Sequence, residues 1–292
     1  MLTPLENQPN LASNLGLPGL LFKREDLHPY KSHKGRSIPV MIDHYCKNGD
    51  QAFALSSSGN AALAAAIHVN KLNQGASTSP ITLDIFVGNH VSPSKLERIK
   101  KYTDDNIRIL IKERPIQALS QAMNEGRRSL RQSTDNEALV GYESLAQELI
   151  DGDEKIGAVF MGTSSGTTAQ ALASYFLKHK APIQVHIVQT SSCHPLSDSF
   201  DTYEGPDEKS IADAIVDITA QRKSALIPAV EKTGGRGWFA TNDDIRTAQE
   251  LAQKHSGLDV STNSALSIVG AMKAAYTGYE INGTVVCMIC GE

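Results

Sequence analysis

The chain has 292 residues, with 28 Lys plus Arg against 32 Asp plus Glu and a formal net charge of −4. That length corresponds to about two domains of roughly 150 residues, and the slightly acidic balance offers no basic surface for nucleic acid or anionic lipid. Hydrophobic residues at 40% and charged residues at 21% exclude extended disorder, so a small soluble molecule is the expected partner.

The opening stretch MLTPLENQPNLASNLG has no basic end followed by an apolar run, which argues against a secretory signal. No later stretch reaches the ~18 apolar residues of a membrane span. A cytoplasmic location is expected, and four cysteines at 46, 193, 287 and 290 are too few and too uneven for a disulfide framework. Cys287 and Cys290 have CxxC spacing inside the strand-like run TVVCMIC, where residues three apart face opposite sides, and no second CxxC completes a zinc site. No metal is expected.

Short β-branched runs alternate with segments of helical period. GLLFKRE precedes a helix over 34–48, QAFAL one over 59–73, ITLDIFV one over 94–102 and IRILI one over 115–131. After the polar stretch RQSTDNEAL come a helix near 142–151, the strand KIGAVFMG, a helix over 166–180 and the strand IQVHIVQ. Helical segments at 207–222, 241–255 and 263–278 then lead to the closing strand GTVVCMI. The alternation predicts an α/β fold with parallel sheets. The polar stretch around 131–137 is either a domain junction or an ordinary surface loop.

Three strand-to-helix connections carry chemistry, because ligands of parallel sheets sit at the carboxyl ends of strands. In LFKREDLHPYKSHKGRS, Lys34 follows Ser32 and His33 at the first turn of a helix. Backbone N–H groups there can hold an anion, and a lysine that is desolvated or near Lys31, His33 and Arg36 becomes a nucleophilic amine. A solvated basic loop is the competing reading. SSSGNAALAAA, at 56–66, is at least an N-capped small-residue helix and otherwise a carboxylate seat with the Asn60 amide as a donor. GTSSGTTAQ, at 162–170, is a tight turn or a phosphate cradle. It lacks both the GK[ST] end of a nucleoside-triphosphate loop and GxGxxG spacing.

A lysine, a Ser/Gly/Asn seat and a phosphate cradle, each after a different strand, are the parts needed to hold pyridoxal phosphate and an amino acid. In this order they make the chain resemble the tryptophan synthase β-like, fold type II, superfamily of pyridoxal-phosphate enzymes. KREDLHPYKSHK resembles the KxED…(S/A)(F/H)K segment, SSSGNAA the SSGNxA loop, and GTSSGTT the glycine-rich phosphate loop. The resemblance implies Lys34 as the Schiff-base lysine, and substrate carboxylate contacts at Ser57, Ser58, Gly59 and Asn60. It puts Asn60 on the ring hydroxyl and the cofactor phosphate on Gly162, Thr163, Ser164, Ser165, Gly166 and Thr167, with His33 either holding that phosphate or only flanking the helix start. It also implies Cys290 facing the pyridine nitrogen, where many relatives have Ser or Thr.

QTSSCHPLSDSF, KSIADAI, TGGRGWFATNDDI and VSTNSALSIVGA resemble stretches of threonine synthases. Ammonia-lyases of threonine usually carry His after the loop Asn, where this chain has Ala61, and HPYKSHK replaces the usual PTGSFK. The implied architecture is two open, twisted, mostly parallel sheets flanked by helices, with the cofactor in the cleft between a large domain, 1–44 plus 141–292, and a small mobile domain, 45–140. The implied function is elimination or replacement at the β or γ carbon of an L-amino acid by a homodimer. The alternatives are a serine/threonine ammonia-lyase, a cysteine synthase-like enzyme and a non-catalytic cofactor-binding regulator.

Overall fold

A computed structural model describes residues 2–75, 79–205 and 208–291. The chain divides into two compact units, one of residues 1–27 and 142–292, the other of residues 28–141.

The first unit opens with β1 (Leu5–Asn7), α1 (Pro9–Leu15) and β2 (Leu20–Arg24). The second contains α2 (Lys34–Lys47), β3 (Ala52–Ser56), α3 (Asn60–Gln74), β4 (Thr82–Val87), α4 (Pro93–Lys100) and β5 (Ile107–Ile111). It continues with α5 (Pro115–Asn124), β6 (Arg128–Ser129) and α6 (Glu137–Val140). The chain then returns to the first unit through α7 (Glu143–Asp151), β7 (Ile156–Gly162), α8 (Thr167–Lys178), β8 (Gln184–Thr190), α9 (Lys223–Lys232), β9 (Gly237–Ala240), α10 (Asn242–Ser256), α11 (Thr262–Tyr276) and β10 (Thr284–Ile289).

The second unit's sheet has the order β5-β4-β3-β6 and is parallel throughout. Its central strands β3 and β4 are buried on both faces, which is why ITLDIFV reads as a continuous apolar run instead of an alternating one. Phe53, Leu55, Leu83 and Ile85 pack with the α2 and α3 side chains, whereas Ala54 and Phe86 meet Leu119 and Ala122 of α5 on the opposite face. The one charge inside β4, Asp84, is 4% exposed and is held by Arg108 Nε and Arg127 Nε, both at 2.8 Å. A buried carboxylate is tolerated only with such partners.

The first unit's sheet runs β1-β2-β10-β7-β8-β9, and only β1 is antiparallel. Phe22, Phe160, Val188 and Cys287 share one core with Ala248, Leu266 and Val269 of α10 and α11. By strand alternation Val185 and Ile187 face the other side, where α8 and α9 pack on β8. The α/β class and the two mostly parallel sheets agree with the sequence reading.

Several predicted elements differ. Of the helix predicted over 207–222, residue 207 lies outside the described residues, and the remainder is irregular. Its amides are taken by side chains instead of an i→i−4 ladder: Ile211 N donates to Asn242 Oδ1 (2.9 Å), Ala214 N to Asn263 Oδ1 (3.0 Å), and Val216 N and Asp217 N to Ser164 Oγ (3.1 and 3.2 Å). Asp217 Oδ1 accepts from Thr219 N and Ala220 N, a local turn that competes with helix, and Ala220 is left-handed at φ 48°. The helix predicted over 115–131 stops at Asn124, because Gly126 at φ 93° turns the chain into β6. The reading of short runs missed β1, α1, β6, α6, α9 and β9. The polar stretch at 131–137 is not merely a solvated loop, since Gln132 and Ser133 are buried.

Candidate active site

In the second unit, the segment before Lys34 is folded tightly onto the helix that Lys34 begins. Lys34 is the first residue of α2, half-buried, and its amide donates to Ser32 Oγ at 3.3 Å. Gly35 makes the turn feasible, since a Cβ there would lie 2.4 Å from His28 Nδ1 and 2.5 Å from Tyr30 Cβ. Lys31 adopts φ 65°. That is a conformation ordinary side chains avoid, and such strain collects at functional sites.

Tyr30 is anchored by a relay. Its hydroxyl lies 2.8 Å from His68 Nδ1, and His68 Nε2 lies 2.8 Å from Asp43 Oδ1. The tautomer with hydrogen on Nε2 satisfies both contacts, with Tyr30 donating to Nδ1 and the imidazole donating to Asp43. Burial, with Asp43 second, raises the pKa of the Tyr30 phenol, so it stays a donor. The relay thereby links the loop before Lys34 to α2 and to the helix that Asn60 starts.

The lysines of this region separate cleanly. Lys23, on β2 in the first unit, is 2% exposed and donates to Glu148 Oε2 and, at 2.8 Å, to Thr3 O. Lys31 is exposed. Lys34 alone combines partial burial with a helix start. Of the other predicted cations, Arg36 is buried and His33 occupies the N-cap position of α2 without a side-chain cap bond.

At the carboxyl end of β3, Ser57 N donates to Phe86 O (3.2 Å) and Ser57 Oγ accepts from Gly59 N (3.3 Å). This side-chain turn sets Asn60 as the first residue of α3. A Cβ on Gly59 would meet no atom within 4 Å, so its backbone borders open space a ligand can approach. Ser57, Ser58, Gly59 and Asn60 are all half-buried.

In the first unit, the 162–167 loop leaves β7 and enters α8, with Gly166 left-handed at φ 84° as N-cap. A Cβ on Gly166 would sit 2.5 Å from Leu226, and one on Gly162 2.8 Å from Asn263 O, so both glycines serve packing as well as backbone approach. Thr163 is buried, donating Oγ1 to Met161 O, and Ser164 Oγ receives the amides of Val216 and Asp217. Ser165 Oγ and Thr167 Oγ1 are 3.0 Å apart. Hence the hydroxyls of Thr163 and Ser164 hold the loop's own shape, and its anion-binding capacity lies in the first N–H groups of α8, which lack intrahelical acceptors.

Sequence reasoning missed one charge at this loop. Arg222, 5% exposed, donates Nε to Thr167 Oγ1 (3.2 Å) and Nη1 to Gln170 Oε1 (3.1 Å). Its cation therefore reinforces the positive end of the α8 dipole. Arg222 comes from the segment read as helix, so no local pattern pointed to it.

Cys290 follows β10, which pairs with β2 and β7; continuing the Cys287–Phe160 register places Cys290 level with Thr163. The strand end is clamped by the start of α11: Cys290 N donates to Ser264 Oγ (3.1 Å), and Ser261 Oγ and Ser264 Oγ donate to Gly291 O (3.0 and 3.3 Å). Cys287 instead lies in the core, where burial pushes its thiol pKa up strongly. At the neighbouring end of β8, Ser191 Oγ is buried and has no hydrogen-bond partner among the described residues.

The family model described as pyridoxal-phosphate dependent enzyme matches residues 2–291. The chain belongs to the pyridoxal-phosphate-dependent enzyme family. It is similar to threonine synthase of Mycobacterium leprae, at 24% identity over 99% of this chain and 81% of that protein. Among solved structures it is similar to a pyridoxal 5′-phosphate-dependent aspartate racemase, with TM-score 0.82, 18% identity and coverage of 99% and 89% of the two chains. It is also similar to processed threonine deaminase isoform 2 of Solanum lycopersicum, with TM-score 0.80, 19% identity and coverage of 99% and 83%. At these identities the structural likenesses establish the fold.

Pyridoxal phosphate fits the residues present. Within the first unit, the helix start backed by Arg222 and the Ser191 hydroxyl, unpartnered among the described residues, suit an anionic, hydrogen-bonding cofactor. Among the described residues no helix is long and apolar enough to cross a membrane. Replacing Arg222 by Gln removes the charge behind the 162–167 loop, and a charged hydrogen bond is worth about 1.5–3 kcal/mol. Fluorescence titration of the apoprotein with pyridoxal phosphate is expected to show affinity about tenfold or more weaker for this variant.

Proposed function

We propose that this enzyme acts on an L-amino acid by elimination or replacement at the β or γ carbon, in the manner of a threonine synthase. Lys34 as the half-buried lysine at the α2 start, with Lys23 committed to Glu148, is the observation that carries the reading. When bound, the cofactor supplies an aldehyde that takes up the amino group and a ring that accepts the electrons left on Cα.

Every other role falls to this chain. Lys34 holds the cofactor covalently before substrate arrives, and its freed amine then moves the Cα proton. Ser57, Ser58 and the Gly59 backbone bind the substrate carboxylate, and Asn60 donates to the ring hydroxyl. The first turn of α8, with Ser165, Thr167 and Arg222, holds the phosphate. Cys290 offers a neutral thiol to the ring nitrogen, which leaves that nitrogen largely unprotonated and favours departure of a leaving group. The four unevenly placed cysteines, none of them in a disulfide, support a cytoplasmic enzyme. The exposed apolar side chains Val216 and Ile218 support a homodimer.

The test is to mix holoenzyme with a panel of L-amino acids and O-phosphohomoserine, following cofactor absorbance and product together. A threonine synthase-like enzyme is expected to release phosphate and form threonine from O-phosphohomoserine. Absorbance changes with no product from any compound would reduce the protein to a cofactor-binding regulator.

A further inference from the structure

The second unit contains a cavity of about 770 Å³ built from the end of α2, one face of α5, β6 and the loop that follows. Tyr45, on its wall, stands eleven residues beyond Lys34 on the same helix, a rise of about 16 Å. The volume is of the size that takes a metabolite.

One wall is apolar. Helix α5, PIQALSQAMN, has no charged side chain, yet Ile116 and Met123 on it are 56% and 48% exposed. Both line the cavity, with Ser120 between them. A solvated helix face ordinarily carries charge, so this face is suited to an apolar body.

The other wall carries guanidinium groups. Arg127 is committed to Asp84 and to Phe53 O and Thr82 Oγ1. Arg128 lies over the Tyr45 ring at 4.7 Å and, among the described residues, uses only Nε, toward Asp50 Oδ2 at 3.1 Å. Arg131, among the described residues, uses only Nε, toward Ser133 Oγ at 3.0 Å. The Nη forks of Arg128 and Arg131 therefore remain for a ligand, and that geometry matches a carboxylate or phosphate. The carboxylates here are already engaged: Asp50 by Arg128, and Asp135 by Tyr45 Oη (2.6 Å) and Glu137 N (3.0 Å).

We propose that this cavity binds a small organic anion, a carboxylate or phosphate on an apolar body, at a site separate from the residues that serve the cofactor. The test titrates holoenzyme, its phosphate loop filled, by calorimetry with 4-methylpentanoate and isobutyl phosphate, and in parallel with acetate and inorganic phosphate. At least one of the two larger probes is expected to saturate about tenfold or more tighter than its bare head group, and which one binds identifies the head group. Arg131→Gln and Met123→Asp should each weaken that binding about tenfold, and Asn60→Ala should leave it intact. Arg131→Lys, which keeps the charge and loses the fork, should weaken it as well and serves if the Gln variant fails to fold. No saturable binding of either larger probe, or binding lost in Asn60→Ala but indifferent to Arg131, would overturn the proposal.

Discussion

Lys34→Ala is expected to abolish borohydride-stable attachment of the cofactor and to cut turnover about 10³-fold or more. In the proposed role two contributions would be lost together, the covalent hold on the cofactor and the amine that moves the Cα proton, and positioned acid–base catalysis alone is worth about 10²–10⁴-fold. The fold should survive, because Lys34 is half-buried at a helix start and Ala is a good helix former. Circular dichroism and thermal melting of the variant, set beside single-turnover kinetics, separate loss of chemistry from loss of structure. Turnover within tenfold of the parent would remove Lys34 from the mechanism.

Glu148→Ala is expected to be the costliest single change to stability among the ion pairs described. Lys23 and Glu148 form a buried pair with side chains 3% and 9% exposed, tying β2 to α7 inside the first unit. Removing the acid strands a buried ammonium, which typically costs about 3–5 kcal/mol. For a chain of this size that corresponds to a fall in Tm of about 10 °C. The double variant Lys23→Met/Glu148→Leu should recover most of the loss, since an apolar pair of similar volume needs no desolvated charge. Additive losses in the double variant would show that the pair is not coupled.

Much of this molecule is legible in its sequence because strongly periodic segments leave little choice. ITLDIFV and KIGAVFMG are apolar runs too short for helices and bounded by turns, and they form β4 and β7. Lys34, Asn60 and the 162–167 loop are legible because each sits where a strand hands over to a helix, and Ser, Gly and Asn mark that junction locally. The stretch 208–222 was misread because what decides its path is remote: Asn242, Asn263 and Ser164 capture its amides, and none of them is a sequence neighbour. Arg222 is hidden for the same reason, since a cation at the end of an irregular segment reveals its place only through Thr167 and Gln170. The pairing of Lys23 with Glu148 spans 125 residues and carries no local signal. Short elements such as β1 and β9 are set by pairing with β2 and β8, not by their own composition.

The most direct measurement is to reduce the holoenzyme with borohydride, digest it and locate the pyridoxyl group by mass spectrometry. The account predicts one modified peptide, spanning Lys34, at one group per chain, and no modification of Lys23, whose ammonium is held by Glu148 and Thr3. A pyridoxyl group on Lys23 or Lys31, or none on any lysine of a protein that retains bound cofactor, would contradict it.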